Sequence, residues 1–200
     1  MAQINISLLG AGYWGSKIAK QLEVLTHVNK VEIVDIKDGK TIDDVQYKNV
    51  IVATPAWDHY DQTCKLLERG HNLYVEKPLA LTSHECDDIK SRIDAQILLV
   101  GHIFLYNERV QKIKELIDSG KIGEVQYIES TRQNWGRFQT RISTLLSLAP
   151  HDVSIIHYLL GYEPFTDIAY KGINLSGKTQ NDIDTYQFKC KGVDIKFNLS

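Results

Sequence analysis

The apolar run Ile4–Leu9 breaks at Gly10-Ala11-Gly12-Tyr13-Trp14-Gly15, and Ile18, Leu22 and Leu25 then recur at helical spacing. A strand that turns through three glycines into a helix commits the chain to a strand–helix–strand crossover, and that constrains the fold more than any other feature. Each glycine has a physical task in that setting. Gly10 permits the tight turn, Gly12 lets backbone approach a pyrophosphate, and Gly15 allows close helix–strand packing. The helix N-terminus adds unbonded amides and the positive end of its dipole. Asp35 ends the second apolar run, twenty residues beyond Gly15, where a carboxylate can bind the adenosine ribose hydroxyls. It would repel a 2′-phosphate, so NAD is expected over NADP, although Lys37 nearby softens that preference. A glycine turn with a chance surface aspartate is the competing explanation, and it must account for loop, acid and crossover rhythm separately.

The rhythm continues. Val31–Asp35, Val50–Ala53, Leu73–Val75 and Ile97–Val100 read as strands. Asp58 is a candidate cap for a helix to Arg69 stopped by Gly70, and Thr82-Ser83-His84-Glu85 is a capping box for a helix to about Arg92. Strands alternating with helices predict an α/β fold, a doubly wound parallel sheet. The connection Ile36–Asn49 is too short for a full crossover helix and leaves room for one turn at Thr41–Val45, so bound adenine should be partly exposed. A helix from Arg109 to Ser119 stops at Gly120, and the domain boundary is placed near residue 121: 1–121 for the dinucleotide, 122–200 for a second, α+β domain with a mainly antiparallel sheet. There Val125–Thr131 reads as a strand, Pro150–Leu160 as a helix, and Asp184–Cys190 with Val193–Leu199 as a hairpin about Lys191-Gly192. Tyr186, Phe188 and Cys190 share a face with period two, as do Val193, Ile195, Phe197 and Leu199. One helix cannot cover so much apolar surface, so a homo-oligomer joined through this sheet is expected.

The net charge of −2 gives no electrostatic case for nucleic acid or a membrane surface as partner. No apolar run approaches membrane-spanning length, and the start MAQINIS lacks the basic region of a signal peptide. Cys64, Cys86 and Cys190 are odd in number and far apart, which reads as reduced thiols in a cytoplasmic protein, with no metal site.

Five stretches, in order, carry a likeness: G-A-G-Y-W-G; A-T-P-x-x-x-H at Ala53–His59; Glu76-Lys77-Pro78; V-G-H at Val100–His102; and Pro150-His151-Asp152. With them the chain resembles the glucose–fructose oxidoreductase/inositol dehydrogenase (Gfo/Idh/MocA) family over nearly its whole length. The resemblance implies an NAD-dependent dehydrogenase acting on a secondary alcohol or ketone of a sugar, cyclitol or nucleotide sugar. It implies that Ala53, Thr54 and Pro55 border the nicotinamide, and that Tyr13, Trp14, Ile36, Trp57, His59 and Glu76 complete the cofactor site. Lys77 would meet both nicotinamide ribose and substrate. Family members are longer, so the resemblance also implies that the second domain is incomplete within these 200 residues.

Two catalytic residues follow from it, Lys77 and His151. A cation beside a hydroxyl losing its proton stabilises the developing alkoxide, and an imidazole can accept that proton. One position departs from the pattern. Many members carry an aspartate four residues before the histidine, where this chain has Ser147. Serine cannot supply the charge that raises the basicity of histidine, so the relay weakens or its weight shifts to Lys77. Asp152 is adjacent in sequence but about 100° away on a helix. Arg132, Asn134, Trp135 and Arg137 form a polar and aromatic cluster that could hold a sugar or an anion, and Tyr106 and Asn107 follow the fifth strand, at the edge where ligands bind. The small-molecule contacts are therefore placed at Lys77, Tyr106, Asn107, Arg132, Trp135 and His151. The reading from a different class is a non-catalytic dinucleotide-binding sensor or assembly subunit, favoured by Ser147 and by the length.

Overall fold

The short apolar runs of the first hundred residues bury alternate side chains and pair as their order predicts. In the computed structural model, which describes residues 3–134, 141–177 and 181–200, the chain divides into two units, Met1–Gly101 and His102–Ser200. The first holds β1 (Ile4–Leu9), β2 (Val28–Val34), β3 (Asn49–Val52), β4 (Asn72–Val75) and β5 (Leu98–Val100), all parallel, in the order β2-β1-β3-β4-β5. Its helices are α1 (Tyr13–Glu23), α2 (His59–Glu68) and α3 (Ser83–Ser91). Leu9, Val50, Val52, Leu73 and Val75 share a core with Leu66, Leu67 and Ile89 of α2 and α3. Burying each such side chain is worth about 1.5–3 kcal/mol. The strand order reverses between β1 and β3, so a crevice opens beyond their C-terminal ends.

Local chemistry explains the boundaries. Thr82 and Glu85 form the expected capping box of α3. Asp58 does not cap α2: Pro55 starts a 3-10 turn, Ala56–Asp58, that runs straight into the helix, and a helical Asp58 cannot fold its carboxylate back onto the first amides. Strand β2 begins three residues before the apolar run because it is an edge strand, where Asn29 and Lys30 can face solvent. Residues 36–49 form two 3-10 turns, Ile36–Asp38 and Ile42–Asp44, and no α-helix.

The second unit holds β6 (Tyr127–Arg132), β7 (Phe165–Ile173), β8 (Ile183–Cys190) and β9 (Val193–Leu199) in the order β6-β9-β8-β7, with α4 (Glu108–Asp118) and α5 (Thr144–Leu160). Only the β6–β9 pair is parallel. The units part at Gly101, ahead of the boundary placed near residue 121, because α4 packs against α5. Lys191 and Gly192 both take the left-handed conformation (φ 53° and 80°), the geometry of a two-residue hairpin turn.

Two expectations are corrected here, and one strand is added that the sequence pattern did not place. Helix α5 starts at Thr144, ahead of Pro150, because Ser143 Oγ accepts the Leu146 N–H at 3.2 Å and Leu145 and Leu148 join the core. Strand β7 had no apolar pattern to reveal it: beyond Phe165 it is exposed throughout and bulges between Thr166 and Ala169. The apolar row of β9, with Phe188 and Cys190, is covered by Ala149, Ile156, Leu159 and Leu160 of α5. The burial argument for self-association therefore fails on this face. Among the described residues no helix is long and apolar enough to cross a membrane.

Candidate functional site

The crevice of the first unit is built on the glycine loop, and each glycine has a different environment. A Cβ on Gly10 (φ 91°) would sit 2.8 Å from Thr54 N and 2.9 Å from the Ala53 carbonyl. One on Gly15 would lie 2.0 Å from the Gly10 carbonyl oxygen. One on Gly12 would meet nothing within 4 Å. Gly10 and Gly15 are thus demanded by packing, whereas Gly12 leaves open a cradle at the N-terminus of α1, where the first amides lack helical partners. A diphosphate fits that cradle by shape and by donor chemistry.

Asp35 staples the cradle to the end of β2. Its Oδ2 accepts the Ala11 N–H at 2.6 Å and its Oδ1 the Lys37 N–H at 2.9 Å. Lone pairs remain on both oxygens for ribose hydroxyls. These backbone bonds, first that from Lys37 and then that from Ala11, hold the carboxyl below its ordinary value of 3.8. A folded-state value below the unfolded one contributes stability above the ordinary carboxylate range, lost as pH falls through the folded value. Asp35→Asn is therefore expected to lower the melting temperature at neutral pH, and the deficit should shrink as the pH is lowered. A deficit that stays constant into acid would refute the assignment.

Beyond β3 and β4 the backbone turns are tied to one another. Trp14 Nε1 donates to Glu76 Oε1 at 2.8 Å, and the Tyr74 hydroxyl reaches the same oxygen at 3.2 Å. Thr54 Oγ1 donates to Gln62 Oε1 at 2.6 Å. His59, only 1% exposed, faces the Pro78 carbonyl through Nδ1 (2.7 Å) and the Thr54 carbonyl through Nε2 (3.0 Å). It is enclosed behind the crevice rather than lining it, which corrects its assignment as a cofactor contact. Lys77 is half-buried and precedes a cis peptide bond to Pro78. Tyr13, Ile36 and Trp57 are exposed, with Lys17 Nζ 4.3 Å above the Tyr13 ring.

The second unit gathers a separate cluster. The His151 ring on α5 meets Phe104 edge-on at 4.9 Å, and the Arg132 guanidinium lies 4.7 Å over the Phe104 ring. Arg132 is not a free anion clamp: its Nε and Nη2 donate to Asp152 at 2.7 and 2.9 Å, and Ser130 Oγ adds a third bond at 2.8 Å. Asp152 is 3% exposed, so its charge requires these partners. The sequence reading missed this brace. The available signal was a carboxylate within an otherwise apolar helix, which must be paired. Ser147 stands one turn before His151 on α5. Asn107 caps α4, accepting the Arg109 N–H at 2.9 Å, and Tyr106 is exposed. Trp135 and Arg137 lie outside the described residues. Among the described residues no three His, Cys, Asp or Glu side chains gather as a metal set. Asp152→Asn would leave Arg132 without its counter-charge. The expected cost is about 3 kcal/mol, the low end for a broken buried pair because Arg132 is partly exposed, read by thermal or urea unfolding.

Comparisons with known proteins agree with this architecture. The profile described as "Oxidoreductase family, NAD-binding Rossmann fold" matches residues 12–102, and that of the "GFO/IDH/MocA C-terminal domain" matches residues 110–191. A 2,7-anhydro-N-acetylneuraminate hydratase of Mediterraneibacter gnavus is 27% identical over 94% of this chain and 58% of its own length. The scyllo-inositol 2-dehydrogenase (NAD(+)) of Bacillus subtilis is 28% identical over 80% of this chain and 55% of its own. The chain thus spans little more than half the length of these relatives. The crystal structure of scyllo-inositol dehydrogenase from Lactobacillus casei with bound NAD(H) and scyllo-inositol superposes with a TM-score of 0.80 at 16% identity, covering 99% of this chain and 69% of that one.

Proposed function

The chain belongs to the GFO/IDH/MocA oxidoreductase family, and we propose that it transfers hydride between NAD and a secondary alcohol or ketone of a sugar, cyclitol or nucleotide sugar. When bound, the nicotinamide supplies the hydride acceptor or donor. The chain's residues supply the rest. Gly12 and the first amides of α1 receive the pyrophosphate, and Asp35 binds the adenosine ribose and disfavours NADP. Lys77 is the cation assigned to stabilise the alkoxide that forms as a substrate hydroxyl gives up its proton, and His151 is carried over from the family resemblance as a proton acceptor. Arg132 acts through Asp152 and Phe104, fixing the surroundings of His151, rather than by gripping the substrate.

The single observation that carries this reading is the open cradle at Gly12 between two glycines that packing demands. Titration with NADH, followed by energy transfer from tryptophan, should saturate, and a panel of sugars, cyclitols and nucleotide sugars should yield one that changes NADH absorbance. Absence of NADH binding would overturn the proposal. Gain or loss of water, followed by mass spectrometry on the same panel, would expose chemistry that leaves no net change in NADH. Ser147 favours one second reading, a non-catalytic dinucleotide-binding protein, which binding without turnover across the panel would select.

A further inference from the structure

We propose that His59 is a positioning residue that holds the nicotinamide side of the crevice in register, by tying the turn after β3 to the turn after β4. The inference rests on the dinucleotide reading above. The strand order β2-β1-β3-β4 places Asp35 at one side and the glycine loop at the switch point, so the half of a dinucleotide beyond its pyrophosphate must extend over the ends of β3 and β4. Those two ends are the backbone turns 53–55 and 76–78. The backbone bonds of the sheet stop short of joining the two turns, since the last of them runs from the Glu76 N–H to the Val52 carbonyl at 2.9 Å and leaves 53–55 unlinked to 76–78.

His59 makes the join. It stands at the first residue of α2, 1% exposed, with Nε2 3.0 Å from the Thr54 carbonyl and Nδ1 2.7 Å from the Pro78 carbonyl. A carbonyl can only accept, so both links are hydrogen bonds together only in the doubly protonated ring; with a single N–H the ring donates to one carbonyl and packs against the other. The link at Thr54 reaches the glycine loop as well, since Ala53 and Thr54 occupy the space where a Gly10 side chain would be. Pro78 follows Lys77 directly, so the same ring sets where the Lys77 backbone lies. One buried imidazole therefore connects the pyrophosphate turn, the turn over β3 and the lysine over β4. A ring enclosed this way touches no ligand and acts only through what it holds.

Three variants separate the links. In His59→Asn the amide nitrogen stands near the position of Nδ1 and keeps the Pro78 link; in His59→Gln it stands near Nε2 and keeps the Thr54 link; His59→Leu removes both. NADH and ADP are the probes, because ADP ends at the pyrophosphate. For His59→Leu, NADH affinity is expected to fall about tenfold, the worth of one hydrogen bond, while ADP affinity stays at the wild-type value. The Asn and Gln variants should fall between, and they decide the matter if the Leu variant does not fold by circular dichroism. An unchanged ratio of NADH to ADP affinity in the folded variants, whether both are retained or both weakened alike, overturns the proposal while leaving the dinucleotide reading intact. Wild-type protein that binds neither probe overturns both.

Discussion

Lys77→Ala is expected to lose turnover by about 10²–10⁴-fold, the usual worth of a positioned acid–base group, while NADH affinity changes little. The backbone around the lysine is held independently of its side chain. On one side Glu76 accepts from Trp14 and Tyr74; on the other the Pro78 carbonyl is held by His59. Truncation at Cβ therefore removes the ammonium without moving the turn. Lys77→Arg keeps the charge on a larger, planar group, so it should recover part of the alkoxide stabilisation. The measurement is kcat on whichever panel member reacts, beside NADH affinity by fluorescence. Turnover close to wild type in the alanine variant would remove Lys77 from the chemistry.

Gly12→Val should abolish NADH binding and leave the fold intact. The Cβ position at residue 12 meets nothing within 4 Å, and its φ of −66° suits any residue, so the substitution disturbs only the space a diphosphate would occupy. Gly15→Ala is the contrasting control. Its methyl would stand 2.0 Å from the Gly10 carbonyl oxygen, a backbone atom that cannot swing aside, so α1 must move off the loop. Overpacking of this kind costs about 1–3 kcal/mol, read as a lowered melting temperature. The pair thus divides function from stability within one loop. NADH affinity in Gly12→Val equal to that of wild type would end the phosphate-cradle reading.

What the sequence disclosed was whatever is written in neighbouring residues. The three glycines, the Thr82–Glu85 capping box and the Lys191-Gly192 turn each carry their geometry within six residues, and each formed where expected. The parallel sheet was legible from runs such as Val50–Ala53, whose side chains are buried on one face and half-buried on the other. Strand β7 was not legible, since exposure frees it from any apolar alternation. Helix α5 was misplaced at its start because proline suits a first helical turn, and that local preference yielded to the apolar residues of 144–149 seeking the sheet. The site residues follow the same division. Asp35 could be placed from its spacing to the glycines, but the Arg132–Asp152 brace joins a strand to a helix twenty residues on, and the two carbonyls held by His59 belong to turns on different strands. Pairings across elements leave no pattern in a single sequence.

The staple formed by Asp35 bears on how a chain like this could change its redox currency. The same carboxylate that would refuse a 2′-phosphate also holds the Ala11 and Lys37 amides. Replacing it to admit NADP would strip two donors of their acceptor, so on the proposed reading coenzyme preference and rigidity of the loop would be inherited as one trait. An NADP-using descendant would need a new acceptor at that spot, and the incoming phosphate is the nearest anion able to serve. Such a descendant would be a protein whose loop is firm only when loaded, with resistance to heat that rises and falls with coenzyme supply.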